Sequence, residues 1–342
     1  MKITTIGIDL AKNLFQVHGA DAEGHVVLRK KLRRSEVLAF FTNQEPCLVG
    51  MESCSGAHYW ARELTALGHE VRLIPARYVK PYVKTNKNDA ADAAAICEAV
   101  TRPTMRFALV KSAEQQSVLM LHRGGELIVR QRTMIINTLR GHFAEFGIVV
   151  AQGAGGVNRL IHILGDSSEG RIPERARWVL RLLVDQLGVL AANLRKLEVE
   201  LHAWHRANEA SRRLETIPGI GPITASAIVA TIGTGEQFSS ARQFSAWIGL
   251  VPRQHSTGGK ARLGGISKRG DAYLRRLLIH GARSLTRWPS IKTTSSKWFL
   301  GLQERRPMNV ATVALANKTA RIAWAVLTRG ENYRTGPVAV AL

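Results

Sequence analysis

Four carboxylates near the start of the chain lie in contexts typical of a divalent-metal site. Asp9 and Glu52 each end an apolar run, whereas Asp89 and Asp92 belong to one Ala-rich stretch at positions i and i+3. That spacing places two side chains on one face of a helix, and carboxylate oxygens are the ligands that hard cations prefer. The four acids therefore predict a site for Mg²⁺, with Mn²⁺ as a substitute. Helix capping or plain solvation is the alternative for any single one of them.

A second group of reactive side chains lies in residues 244–269, where hydroxyls, glycines and cations occur together. Ser256 and Thr257 precede Gly258 and Gly259, so a hydroxyl nucleophile could lie on a loop that approaches a ligand closely. The cations that could neutralise a phosphodiester under attack are Arg253, Lys260, Arg262, Lys268 and Arg269. Ser-Thr-Gly-Gly is also common in ordinary loops. His255 could act as a base, but loop packing or a phosphate contact is the simpler interpretation.

Apolar, β-branched segments are expected to form the buried strands that carry the acids. The runs 3–10 and 47–53 deliver Asp9 and Glu52 near their ends, and an Ala-rich helix carries the other pair. Further predicted elements are an exposed basic strand over 26–34, a helix over 57–67 and a strand over 70–75. These elements predict an α/β N-terminal domain.

A leucine repeat with alternating spacings of three and four predicts a long helix that begins near Pro173 and Glu174. Its members are Leu180, Leu183, Leu187, Leu190, Leu194, Leu197, Leu201 and Trp204. Such a seam favours a coiled coil or a helical hairpin, and a helix over 113–146 is a candidate partner. Glycine-rich stretches at 152–157 and 165–170 are expected to separate the two. The repeat leaves open whether the partner belongs to the same chain or to a second copy.

Residues 214–233 contain an I-P-G-I-G-P turn between two short apolar helical segments, which resembles a helix-hairpin-helix. Gly219 and Gly221 allow a tight turn and a close approach, so the first amides of the next helix could point at a phosphate. Thr224 could add a hydroxyl contact. A plain inter-helix turn is the alternative. A last helix is predicted over 310–327, capped by Asn309, and together these elements predict a mainly α C-terminal domain.

Charge is concentrated in the C-terminal part of the chain. Residues 242–306 contain 14 Lys and Arg against 2 Asp and Glu, a net of +12 within the +22 of the whole chain. An anionic partner relieves such self-repulsion, and nucleic acid is the partner that we favour. Trp247, Trp288 and Trp298 lie among these cations and could stack on bases, although core packing is the simpler interpretation.

Several protein classes are disfavoured by what the sequence lacks. No apolar run reaches the ~18 residues of a membrane helix, and the first residues lead directly into a predicted strand rather than a signal peptide. We therefore expect a soluble, cytoplasmic protein. The three cysteines have no metal-ligand spacing, which predicts reduced thiols in apolar surroundings.

At this point the motifs resemble those of one family, the DEDD insertion-sequence transposases. Its RuvC-like, RNase H-type domain is matched by G-I-D-x-A-K at 7–12, by Glu52-Ser53-Cys54-Ser55-Gly56 and by N-D-A-x-D-A at 88–93. Its C-terminal transposase domain is matched by G-L-x-P-R-Q at 249–254, S-x-G-G-K at 256–260 and G-x-I-S-K-R-G-D at 264–271, followed by Tyr273-Leu274-Arg275. The match covers most of the chain.

The resemblance implies a DNA recombinase that moves its own insertion sequence and that associates with the bacterial nucleoid when active. It implies Mg²⁺ bound by the acidic quartet, a serine that forms a covalent bond to DNA, and a structured bridge RNA that pairs with target and donor DNA. It also implies dimers that join in a tetrameric synapse, with active sites completed between subunits. We add Arg275 to the predicted nucleic-acid contacts. A metal-dependent nuclease that hydrolyses branched DNA is the alternative function, and a non-catalytic nucleic-acid-binding protein is a third.

The nucleophile position departs from the family pattern. Counting from the Gly-Lys pair of related Y-x-S-G loops places the family serine on Thr257, whereas the serine of this loop is Ser256. We predict Ser256 as the nucleophile and keep Thr257 as the alternative, because its methyl group hinders the hydroxyl. The predicted domains are a RuvC-like metal-binding domain (1–110), a helical coiled-coil region (111–210), a basic transposase domain (211–330) and a tail (331–342).

Overall fold

The computed structural model describes residues 2–84, 88–260, 262–286 and 296–334. It divides into two compact units, residues 1–116 and 117–342. The first boundary lies close to the predicted end of the metal-binding domain. The predicted stacking residue Trp288 and residues 335–342 of the predicted tail lie outside the described residues.

The first unit is built on a five-stranded mixed sheet with the order β3-β2-β1-β4-β5. Strand β1 is parallel to β4, which is parallel to β5, while β1, β2 and β3 form an antiparallel meander. The strands are β1 (Thr5–Asp9), β2 (Leu14–Ala20), β3 (Val26–Arg33), β4 (Leu48–Glu52) and β5 (Glu70–Ile74). The helices are α1 (Val37–Thr42), α2 (Ala57–Ala66), α3 (Ala76–Val79) and α4 (Asp89–Val100). The predicted α/β class of this part is confirmed.

Strand β2 is the element of the sheet that the sequence prediction lacks. Its sequence LFQVHGA interrupts the apolar pattern with Gln16, His18 and Gly19. The strand nevertheless lies between β1 and β3, and both Phe15 and Val17 are buried. Two paired neighbours therefore override a weak local preference for a strand.

Two glycines at the same level of neighbouring strands allow α4 to lie directly on the sheet. Gly7 of β1 is in register with Gly50 of β4. A Cβ on Gly7 would collide with the backbone of α4 at Ala93 and Cys97, and one on Gly50 would lie 2.8 Å from Val100 Cβ. Because α4 begins at Asp89, this close approach sets where its acidic first turn lies relative to the strand ends.

Substituting Gly7 by alanine is expected to push α4 away from the sheet. The added methyl meets backbone atoms rather than a flexible side chain, so over-packing should cost about 1–3 kcal/mol of stability and should weaken divalent-metal binding as well. Thermal unfolding and Mn²⁺ titration followed by electron paramagnetic resonance measure the two effects. Gly141→Ala in α5 is the matched control, since no atom lies within 4 Å of its added Cβ. Equal behaviour of the two variants would contradict the role of Gly7.

The second unit is mostly helical, with one β-hairpin. Its helices are α5 (Ala113–Ala144, which begins just before the unit boundary), α6 (Ala154–Gly165), α7 (Glu174–Ala207), α8 (Glu209–Glu215), α9 (Pro222–Ile232), α10 (Ala241–Ile248), α11 (Ala272–Thr286), α12 (Ser296–Gln303) and α13 (Met308–Arg329). The antiparallel hairpin consists of β6 (Pro252–Gln254) and β7 (Leu263–Ile266). The core combines α9, α10, α11 and α13.

The leucine repeat of α7 finds a partner in the same chain. Leu194 and Leu197 lie against the positions of Gly125 and Gly124 in α5, and Leu201 shares a buried cluster with Val118 at the start of that helix. Toward the other end of α7, the repeat packs with α6 and the last turns of α5. These contacts support the helical-hairpin interpretation, and coiled-coil supercoiling stays a prediction.

A buried histidine fastens α5 to the C-terminal helices. Ser226 donates its hydroxyl to Pro222 O at 2.7 Å, so His122 Nε2 must be the donor in its 3.1 Å contact with Ser226 Oγ. The other ring nitrogen then accepts from the Tyr273 hydroxyl at 2.9 Å. Burial lowers the pKa of His122 to about 4, so the ring stays neutral at ordinary pH.

One local expectation is wrong. Helix α13 begins at Met308 after Pro307, so Asn309 lies inside it and not at the cap. The glycine-rich stretches 152–157 and 165–170 lie between α5 and α7 as expected, but the short helix α6 begins within the first of them, because Leu160 and Leu164 pack into the α5–α7 core. The loop that carries Ser256 connects the two strands of a hairpin.

Candidate active site

Three of the four predicted acids come together at one edge of the sheet. Single carboxylate oxygens of Asp9, Asp89 and Asp92 all lie within 4.8 Å of one another. Asp9 ends β1, and the other two occupy the first turn of α4. That turn is fixed by Asn88, whose side chain accepts the Ala90 N–H at 3.0 Å. Asp89 is exposed and the other two are half-buried, so the cluster is open to solvent on one side.

Glu52 lies at the neighbouring strand end but outside that group of three. It ends β4, and the parallel pairing of Ile8 with Met51 places it directly beside Asp9 along the sheet edge. Both acids affect the pKa of the Cys54 thiol. Partial burial raises this pKa most, and the nearby carboxylates of Glu52 and Asp9 raise it further. The fourth acid therefore contributes to the negative field of the site and could close on a bound ion.

The donor set fits a hard divalent cation. All of the side chains are carboxylates, they converge from two different elements, and solvent access leaves room for water or phosphate oxygens. A second group of this kind, Asp21, Glu23 and His25, occupies the turn between β2 and β3. There the Asp21 carboxylate accepts the His25 N–H at 2.8 Å, which accounts for that group as a turn.

The hydroxyl segment of the second unit forms the exposed end of the β6–β7 hairpin. Ser256 Oγ accepts two hydrogen bonds, from Gln254 Nε2 at 3.0 Å and from the Arg262 N–H at 3.3 Å. In contrast, Thr257 bonds through its backbone, where its carbonyl accepts the Lys260 N–H at 3.0 Å. Gly258 and Gly259 both have positive φ, which the tight turn between them requires. The hairpin therefore holds the Ser256 hydroxyl between two N–H donors.

The base of this hairpin is anchored against the end of α10. A Cβ on Gly270 would collide with the Trp247 carbonyl, so the two backbones touch. Arg275 Nη1 donates to Ile248 O at 2.7 Å and to Arg269 O at 2.9 Å. The Arg275 guanidinium therefore has a structural role, whereas the sequence predicted a nucleic-acid contact for it. The backbone contacts hold the base while the end of the hairpin stays exposed.

Five exposed cations on the hairpin and in the segment that follows it have no carboxylate partner among the described residues. Within the described part of the chain, none of the following exposed residues forms an ion pair: Arg253, Lys260, Arg262, Lys268 and Arg269. His255 joins the hairpin through its backbone N–H, which donates to Arg262 O at 2.9 Å. Trp247 packs against Phe238 and Phe244 in the core, whereas the Lys318 ammonium lies over the Trp298 ring. Core packing is therefore the role of Trp247.

The turn between α8 and α9 contains the predicted phosphate contacts. Gly221 is the N-cap of α9 and faces open space, which is compatible with a phosphate at the first amides. Gly219, at φ +84°, packs against the backbone of Gly281 in α11 instead. Thr224 is buried, which argues against its predicted hydroxyl contact.

Comparisons with known proteins decide the family. A family model described as "Transposase IS116/IS110/IS902 family" matches residues 211–296, and the DEDD model of the IS110 type, described as "Transposase", matches residues 6–148. A "Probable family 20 transposase" of Pseudomonas aeruginosa is 52% identical over 98% of this chain and 100% of its own length. The chain belongs to the IS110 transposase family.

Two further relatives are similar to this IS110-family protein along nearly its whole length. The "Transposase for insertion sequence element IS1111A" of Coxiella burnetii is 45% identical over 98% of this chain and 92% of its own length. The "Transposase for insertion sequence element IS1328" of Yersinia enterocolitica is 43% identical over 96% and 98%. Both units are therefore shared with proteins named as insertion-sequence transposases.

Membership of this family identifies the protein as an enzyme that acts on DNA. The family and the acidic cluster together point to the use of a divalent metal. For the IS110-family chain, no helix within the described residues is long and apolar enough to cross a bilayer. Sequence reasoning missed two features of the site. Gln254 was part of a recognised motif without a role, and Cys54, which was expected in apolar surroundings, is exposed beside the acids.

Proposed function

We propose that this transposase cuts and rejoins DNA through a covalent bond between Ser256 and a DNA phosphate. The observation that carries the proposal is the Ser256 hydroxyl, held by two N–H donors on an exposed hairpin among unpaired cations. Attack by Oγ forms a new O–P bond as the bond from phosphorus to the leaving strand oxygen breaks; the hydroxyl proton passes to solvent, and the leaving oxygen takes up a proton to become a strand-end hydroxyl. The serine ester conserves the energy of the phosphodiester for rejoining.

The two donors are the reason to prefer Ser256 over Thr257. N–H groups directed at an oxygen stabilise its anionic form more than its neutral form. Thr257 has no such donors among the described residues, where it makes contacts through its backbone only. Arg253, Lys260 and Arg262, which lie on the same hairpin, would stabilise the negative charge that develops on the phosphate oxygens.

The acidic cluster is proposed as the metal site of the same reaction. Asp9, Asp89 and Asp92 would hold Mg²⁺, with Glu52 beside them at the adjacent strand end. A bound Mg²⁺ would supply charge neutralisation at the phosphate under attack. Without a cation the carboxylates repel a phosphate, so a phosphate can approach them only where a bound ion neutralises their charge. The mixed sheet and the helix laid across it support an RNase H-like, RuvC-type arrangement for this unit.

We further propose a structured guide RNA as partner, with target and donor DNA, and assembly as dimers that form a tetrameric synapse. The support is the resemblance in both halves of the chain and the +12 segment at residues 242–306. The α8–α9 turn is proposed as a helix-hairpin-helix that binds phosphate without reading sequence. We also keep the predicted division of the second unit near residue 210, into a helical region and a basic transposase domain, as part of this proposal.

The test is whether DNA ends become attached to the protein. Full-length protein is incubated with DNA containing the element ends, its flanking non-coding RNA and Mg²⁺, then separated on a denaturing gel. A labelled DNA–protein adduct that survives denaturation is the expected result. Cleavage with free ends only would favour the metal-dependent nuclease for which the acidic cluster alone suffices. Uncut DNA, with intact binding, would favour a non-catalytic binder.

A further inference from the structure

A groove in the first unit has a composition unlike that of the acidic site. Its volume is about 770 Å³, and its polar and aromatic lining comprises Asn13, Arg33, Arg34, Ser35, Tyr59 and Trp60. Two leucines complete the lining, and no acidic side chain takes part. The groove is therefore a positively charged, partly aromatic surface in an otherwise mildly charged unit.

The strand register places this groove at the same edge of the sheet as the acids. Asp9 is opposite Gln16 on β2, and Leu14 of that strand is opposite Arg33 on β3. Asp9 and Arg33 are thus two strands and two residues apart. With strands ~4.8 Å apart and ~3.3 Å per residue, their Cα atoms are separated by roughly 12 Å. That distance corresponds to at most about four nucleotides, because ~3.4 Å per nucleotide is the spacing in a duplex strand and an unstacked strand is more extended.

The positive charge of the groove is held in place and is not neutralised. The Arg34 guanidinium lies 5.2 Å from the ring centroid of Trp60 and 5.9 Å from that of Phe15, which fixes it by cation–π contact. Neither Arg33 nor Arg34 forms a side-chain ion pair within the described ranges. The Glu36 carboxylate accepts the backbone N–H of Arg33 at 2.7 Å. Two guanidinium groups are therefore available to phosphate.

The aromatic part of the groove offers a face for a base. Tyr59 is 42% exposed, and its ring meets the buried Trp60 edge to face at 5.1 Å. A rigid, supported and half-exposed ring next to cations is the arrangement on which single-stranded bases stack. Bases in a duplex have no free face for such a contact.

We propose that this groove binds single-stranded DNA that leads to the acidic site, with phosphates on Arg33 and Arg34 and a base stacked on Tyr59. The proposal rests on the proposed function, because only a strand cut at the carboxylates needs guidance along this edge. DNA is the occupant to which we commit, since the family acts on DNA. The groove would hold the strand within about four nucleotides of the scissile phosphate.

Photo-crosslinking tests the groove in the full-length protein. Single-stranded DNA that carries 5-iododeoxyuridine is irradiated with the protein, and crosslinked peptides are mapped by mass spectrometry. We expect a crosslink at Tyr59. Arg33→Ala should reduce its yield about fivefold at limiting DNA and lower the dependence on log salt by about 0.7. Arg29→Ala is the matched control, an exposed cation of β3 away from the groove, and its yield should stay within about twofold of wild type.

Three results would overturn the proposal. The first is a crosslink map of the folded wild-type protein that does not include Tyr59. The second is an equal loss of crosslink yield in Arg33→Ala and Arg29→Ala. The third is that RNA of the same sequence competes for the crosslink more strongly than DNA does. Ser256→Ala separates this inference from the proposed function, because the variant should crosslink normally. A Tyr59 crosslink without covalent adducts would leave the groove standing and remove the serine mechanism. Adducts without the crosslink would do the reverse.

Discussion

Replacing Asp9 by asparagine is expected to lower Mg²⁺-dependent DNA cleavage more than about 100-fold. Loss of a group that only supports a metal ligand costs ~10–100-fold, and Asp9 is one of three carboxylates whose oxygens lie within 4.8 Å of one another. An amide keeps the size of the side chain but removes the charge that attracts the ion. Cleavage of a labelled substrate measures the activity, and Mn²⁺ titration followed by electron paramagnetic resonance measures the site itself.

Glu23→Gln is the matched control for charge removal. Glu23 belongs to the other carboxylate group, in the turn between β2 and β3, and is exposed. This variant should bind Mn²⁺ at the active site and cleave DNA like wild type. Normal cleavage by Asp9→Asn, or an equal loss in both variants, would remove the metal assignment. Asp92→Ala should lower cleavage as Asp9→Asn does, because Asp92 contributes to the same site from the first turn of α4.

Replacing Ser256 by alanine is expected to abolish covalent protein–DNA adducts while DNA and RNA binding stay intact. The substitution removes the oxygen that accepts from Gln254 and from the Arg262 amide, and alanine has no group that can replace it as a nucleophile. The hairpin should persist, since backbone pairing and the glycine turn form it. Denaturing gels measure adducts, and filter binding with labelled nucleic acid measures affinity.

Thr257→Ala is the comparison that identifies the nucleophile. Its hydroxyl is the neighbouring alternative, so this variant should keep forming adducts at a rate close to that of wild type. Adducts that survive in Ser256→Ala and disappear in Thr257→Ala would move the role by one residue. Loss in both variants, with normal binding, would indicate that the hairpin turn itself is required.

The acidic site was largely predictable because its parts are locally encoded. The apolar runs before Asp9 and Glu52 and the Ala-rich stretch after Asn88 define their own elements. Parallel strands that end together then bring the first two acids to one edge. The separation of Glu52 from the closest group of three depends on side-chain directions, which spacing along the chain does not specify.

Other features depend on partners distant in sequence and were not predictable. Strand β2 is a strand because two neighbours pair with it. The role of Arg275 follows from two carbonyls, at Ile248 and Arg269, that only the folded hairpin brings within reach. The partner of the leucine repeat was open because a repeat describes one face of a helix and says nothing of what covers it.

The paired glycines under α4 have a consequence for how this site tolerates change over evolution. Where Gly7 meets the helix, main chain rests on main chain, whereas Gly50 lies against the side chains of Ile96 and Val100. The spacing between the strand-end acid and the helix acids is therefore set largely by backbone dimensions at Gly7, which are the same for every sequence. Apolar residues elsewhere in the unit can diverge between insertion elements while the acidic cluster keeps its geometry, as long as these two positions stay without side chains.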